Sequence, residues 1–169
     1  MDEIVINDDA ELTLHIIRQG YRVLYEPRAE SYEYASIDIR DDFHVKVRMV
    51  AGGFQTLARH ALFLLPPRNW FTLAFFSHKF LRWTAPIFLI SLMGGCLSLA
   101  DLPIYKTLLG VQLAFYALAV TGWVLRRRQH LPIAIYVPFY FCTMNTAALF
   151  GLFRYLRRSQ KVQWHKAKR

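Results

Sequence analysis

Three apolar stretches, Trp83–Ala100, Thr107–Leu125 and Leu131–Tyr155, limit what this chain can fold into more than any other feature. About twenty consecutive apolar residues are what a helix needs to cross the hydrocarbon core of a bilayer. The first two stretches meet that length without a charged residue. Residues 1–60 are mixed and charged instead, so the overall 54% apolar and 15% aromatic content describes a water-facing segment joined to a membrane segment.

The formal net charge of +9 is concentrated at Lys46–Arg59, at Arg126–Arg128 and in the tail from Arg154 to Arg169. Each cluster borders an apolar stretch. That placement fits retention on the cytoplasmic face beside anionic headgroups and sets aside nucleic acid as the partner. Pro66–Trp83 mixes Trp70, Phe71, Phe75, Phe76 and Phe80 with Arg68, His78, Lys79 and Arg82, the composition of a helix lying in the headgroup region. Cys96 and Cys142 both lie in apolar runs, without C-x-x-C spacing or a nearby His, so they read as packed or lipid-facing thiols. The acidic opening residues do not resemble a signal peptide.

The positive-inside rule predicts two full spans, about 83–100 and 107–125, which return Arg126–Arg128 to the cytoplasmic side. Pro132, Pro138, Asn145 and Gly151 predict a broken, re-entrant or interfacial element over 131–155, with 156–169 a basic cytoplasmic tail. Three spans are the alternative, because the stretch is long enough to cross.

Upstream, Leu12, Leu14, Ile16 and Ile17 follow an acidic cluster in helical fashion, and Gly20 stands where a left-handed cap would end the helix. The alternating YRVLYEP predicts a strand ending at Pro27. Such a helix–glycine–strand unit is half of an α/β motif, too small to bury a core alone. A second helix is expected over 38–64, with Gly52 and Gly53 marking a bend or a close approach.

Asp8 and Asp9 open the first helix. Carboxylates there are favoured by the helix dipole whatever their role, and the functional alternative is a general base. The block DDAELTLHIIRQGYRVLYEP (Asp8–Pro27), the cationic KVRMVAGGFQTL (Lys46–Leu57), SHKFLRW (Ser77–Trp83) and the terminal W-x-x-x-x-R together closely resemble the C-terminal portion of membrane-bound family 2 glycosyltransferases. This is the group of cellulose, hyaluronan and poly-N-acetylglucosamine synthases. The resemblance implies a mostly α chain: a partial α/β remnant of a GT-A-type catalytic domain over 1–64, an interfacial helix over 65–82, and a membrane region over 83–155.

It also implies a function. Asp9 would be the catalytic base, Asp8 a neighbour that tunes it, and Leu12 the apolar position that follows the family's acidic pair. The family's Gln-x-x-Arg-Trp motif falls on Val45–Met49, keeping Arg48 but neither Gln nor Trp. Arg48, with Lys46 beside it, would bind the donor diphosphate; a membrane-facing cation is the other reading of Arg48. The family's Asp-x-Asp metal motif and nucleotide-binding sheet have no counterpart here. A divalent cation, magnesium or manganese, is therefore expected in the complete enzyme and not on residues of this chain. The implied partners are a nucleotide-sugar donor, a glycan or lipid acceptor, membrane lipids, and a polypeptide supplying the missing catalytic half. The implied location is the inner (plasma) membrane, multi-pass, with the catalytic side cytoplasmic. A non-catalytic membrane scaffold derived from such an enzyme is the competing reading.

Overall fold

The computed structural model describes residues 5–32, 39–66, 69–127 and 130–160. Seven α-helices follow one another: α1 (Asp8–Arg18), α2 (Ile39–Arg59), α3 (Ala61–Leu64), α4 (Trp70–Phe75), α5 (Leu81–Ser98), α6 (Pro103–Leu125) and α7 (Ile133–Leu156), with a π-helical turn, Phe76–Phe80, between α4 and α5. The chain is mostly helical, and no strand occurs among the described residues. Two compact units divide it. One comprises the described residues up to Phe76 and those from Phe150 onward, and the other runs over Ser77–Leu149.

The first unit is built on α2. Val47, Val50, Ala51, Phe54 and Leu57 form its buried stripe at helical spacing. Against this stripe lie α1, through Leu14, and the last turns of α7. The aromatic pairs Phe43–Phe150 (5.8 Å between ring centroids) and Phe54–Tyr155 (6.0 Å) flank the α2–α7 contact. α2 continues through Gly52 and Gly53 as unbroken helix and ends at Arg59, so of the bend and the close approach expected at the glycines the structure shows the close approach. The glycines serve close approach: both are buried, and Asn7 packs directly on Gly52. Asn69 starts α4 with a reciprocal cap, its Oδ1 accepting the Thr72 N–H at 2.9 Å while its own N–H donates to Thr72 Oγ1 at 3.1 Å.

α1 ends as its sequence requires. Gly20 has φ +86°, its N–H donates to the Ile17 carbonyl, and the Tyr21 N–H donates to that of Ile16. These two bonds make a Schellman cap. The strand expected from Tyr21 to Pro27 is absent. Tyr21, Val23, Leu24 and Tyr25 are all more than half exposed; a strand exists only through a paired neighbour, and no strand among the described residues pairs with them.

The second unit packs α5 on α6, with residues 133–149 of α7 beside α6. A Cβ at Gly122 would stand 2.5 Å from the Phe139 Cβ, so this glycine lets the two helices touch. Phe115 and Phe141 meet edge-on at 5.6 Å. Gln112 donates to the Leu89 carbonyl at 3.4 Å.

α7 is one unbroken helix, so of the broken, re-entrant or interfacial forms expected over 131–155 the broken one does not occur. Its polar residues bond their own helix: Thr143 to the Phe139 carbonyl, Asn145 to that of Phe141 and Thr146 to that of Cys142. Pro138, the sixth residue of α7, has no N–H to give the Ala134 carbonyl, and the helix continues through it. Three helical stretches, Trp70–Ser98, Pro103–Leu125 and Ile133–Leu156, are long and apolar enough to cross a membrane. Only 11–22% of their most apolar windows is buried within the protein, leaving Phe88, Ile90, Val111, Val120, Val124 and Val137 facing outward. Apolar helices exposed on this scale suit lipid as their solvent.

Candidate functional site

The residues before α1 are gripped by α2. The Ile6 N–H donates to Gln55 Oε1 at 3.0 Å, and the Arg48 guanidinium donates to the Ile6 carbonyl at 3.3 Å. Asn7 occupies the N-cap position of α1 but makes no side-chain cap; its Nδ2 donates to the Met49 carbonyl at 2.9 Å instead. Two consecutive residues are thus held from three points on one helix.

Asp8 and Asp9 follow immediately, in the first turn of α1, and both are exposed. Asp8 Oδ1 accepts the Asp9 N–H at 3.1 Å, Asp9 Oδ1 accepts the Ala10 N–H at 2.8 Å, and the Asp9 carbonyl accepts the Thr13 hydroxyl. Backbone amides at a helix start thereby hold one oxygen of each carboxylate. Arg48 reaches the same corner through Ile6, two residues before Asp8. Lys46 does not share its face, because residues two positions apart on a helix are separated by about 200° of rotation.

The surroundings invert one expectation. Leu12, which the sequence predicts as apolar anchor, is 53% exposed, while Glu11 is 5% exposed. Glu11 is buried because it meets His60, whose Nε2 lies 2.9 Å from Glu11 Oε1. Arg18 Nη1 lies 3.1 Å from His60 Nδ1, and Arg59 approaches Glu11 at 3.8 Å. Arginine can only donate, so His60 Nδ1 is the acceptor and Nε2 carries the proton given to Glu11. Glu11 Oε2 is buried without a hydrogen-bond partner. The sequence does carry a trace of this cluster: Glu11, Leu14, His15 and Arg18 recur at i, i+3, i+4 and i+7, one helical face with polar members where a core stripe would be apolar. That His60 is their partner depends on a contact 49 positions away.

Among the described residues no group of three or more His, Cys, Asp or Glu is placed to hold a metal ion. The terminal motif Trp164–Arg169 and the cations Lys161, Lys166 and Lys168 lie outside the described residues, as does Arg128. Comparison with protein families, with curated proteins and with solved structures finds no match to this chain.

Proposed function

We propose that this chain is the C-terminal part of an inverting membrane glycosyltransferase, transferring a sugar from a nucleotide-sugar donor to a cell-envelope glycan or lipid acceptor. One observation carries the reading: an exposed acid pair at the head of α1, fastened through Ile6 and Asn7 to the helix that bears Arg48. The family resemblance of Asp8–Pro27 and the three membrane-length helices support it.

In such a transfer Asp9 accepts the proton of the acceptor hydroxyl as its oxygen bonds to the anomeric carbon. The bond from that carbon to the diphosphate breaks, and the diphosphate leaves with the electron pair. Arg48, by charge-assisted hydrogen bonds, stabilises the charge gathering on the leaving group. A divalent cation, held by residues outside this chain, would supply further neutralisation of that charge. The helical unit around α1 and α2 is, in this proposal, the remnant of an α/β catalytic domain, and Tyr21–Glu26 the segment that a sheet would pair.

The test is sugar transfer by membranes containing this chain together with the polypeptide that supplies the donor site. Asp9→Asn keeps the size and removes the basic oxygen, so the rate is expected to fall by about 10²–10⁴. Activity within about threefold of the parent would refute the assignment and leave a scaffold role as the reading.

A further inference from the structure

We propose that Glu11, His60 and Arg18 form a clasp that sets the rotation of α1 on α2 and so directs Asp9 away from α2; they are positioning residues for the transfer above, and this role rests on that reading. Two side chains from opposite ends of one α1 face, Glu11 and Arg18, converge on a single imidazole. The main chain that carries this ring is itself held: the His60 backbone N–H donates to the Thr56 carbonyl at the end of α2, and the His60 carbonyl accepts the N–H groups of Phe63 and Leu64 in α3. Contacts from two places seven residues apart to one buried ring restrain α1 from rolling on α2.

The roll angle decides where the acid pair points. Each residue turns an α-helix by about 100°, so Asp9 lies about 200° from Glu11, on the side of α1 facing away from the clasp. Asp8, three positions from Glu11, falls about 60° from it. The exposure of Asp9 and the burial of Glu11 are therefore two sides of one orientation. Apolar packing alone would leave this angle loosely set, since Leu14 is the only deeply buried apolar residue that α1 contributes.

The experiment uses the full chain in lipid nanodiscs, with Cys96 and Cys142 replaced by alanine. Nitroxide labels go on cysteines introduced at the exposed positions Leu12 and Ala58, one on α1 and one on α2. The double variant Glu11→Met/His60→Leu exchanges the buried polar pair for apolar side chains of similar bulk, a change that cores tolerate. It is expected to stay folded, while the interlabel distance distribution broadens or shifts relative to the parent. Glu11→Gln keeps an acceptor for His60 and is expected to restore the parent distribution. An unchanged distribution in the double variant overturns the clasp. Should that variant fail to fold, Arg18→Leu, at an exposed residue, removes the outer contact alone, and an unaltered distribution there is equally fatal.

The second arm measures sugar transfer by the chain with its donor-site partner. The double variant is expected to lower kcat about tenfold or more while the donor KM stays within about twofold. Parental kcat in this variant, alongside inactive Asp9→Asn, refutes positioning and spares the function. An inactive parent refutes the function, and the distance measurement still judges the clasp.

Discussion

The carboxamide of Asn7 occupies the space that any side chain at position 52 would need: a Cβ built on Gly52 would lie 2.5 Å from Asn7 Cγ. The Asn7 carboxamide is not free to swing aside, because its Nδ2 bonds the Met49 carbonyl. The segment leading into the acid pair is therefore seated in a notch that only glycine leaves open.

Gly52→Ala is expected to unseat this segment despite alanine's better helix propensity. Overpacking of this kind costs about 1–3 kcal/mol, against roughly 1 kcal/mol gained from propensity. Asn7→Ala should remove the conflict, so that Gly52→Ala is tolerated in the double variant. Chemical unfolding of the four proteins in detergent gives the coupling directly, and additive effects would contradict the notch.

Gly151 makes the corresponding contact between α7 and α2. A Cβ there would meet Val50 Cβ at 2.7 Å and the Val47 carbonyl oxygen at 2.8 Å, and backbone cannot step away. Gly151→Ala should cost about 1–3 kcal/mol by the same overpacking. Gly94, Gly95 and Gly110 have nothing within 4 Å of a built Cβ, so alanine there should be neutral or stabilising by up to about 1 kcal/mol. Thermal unfolding of the four single variants checks the contrast.

The 169-residue chain alone is expected to transfer no sugar. One arginine and a carboxylate pair do not make a donor site, which needs preorganised charge around the diphosphate. Purified chain in detergent, given radiolabelled nucleotide sugars with magnesium or manganese, should incorporate only background label. Clear turnover would mean that the described residues hold a donor site of another kind.

Ser159 should lie on the same side of the membrane as Asp9 and Arg48. The last turns of α7 pack on α2 within one compact unit, and Ser159 stays bound to α7 through its N–H to the Arg154 carbonyl. By the positive-inside rule that side is expected to be the cytoplasm. With Cys96 and Cys142 replaced, Ser159→Cys in intact cells should resist a membrane-impermeant thiol reagent and react after permeabilisation. Labelling from outside would separate the tail from α2.

Much of this architecture is legible in the residues. The apolar runs mark α5 and α6 to within a few positions, because length and absence of charge are local properties that a bilayer reads directly. Gly20 marks the end of α1, because a positive φ is a local demand. Asp8 and Asp9 stand at a helix start, as acidic residues there should.

Other features depended on neighbours distant in the chain. The YRVLYEP alternation states a preference for pairing, and without a partner strand among the described residues it stays irregular and exposed. Pro138, Asn145 and the threonines look like interruptions, yet α7 continues, because side chains that bond their own backbone leave the helix intact. Gly52 and Gly53 suit either a bend or a close approach, and α2 continues with Asn7 seated on Gly52, because tertiary packing outweighs their poor helix propensity. Local sequence determined where helices could run and where they stop. Which face of α1 is buried, Glu11 inward and Leu12 outward, only the tertiary structure decided, because the cost of burying a carboxylate depends on whether a donor such as His60 waits on another helix.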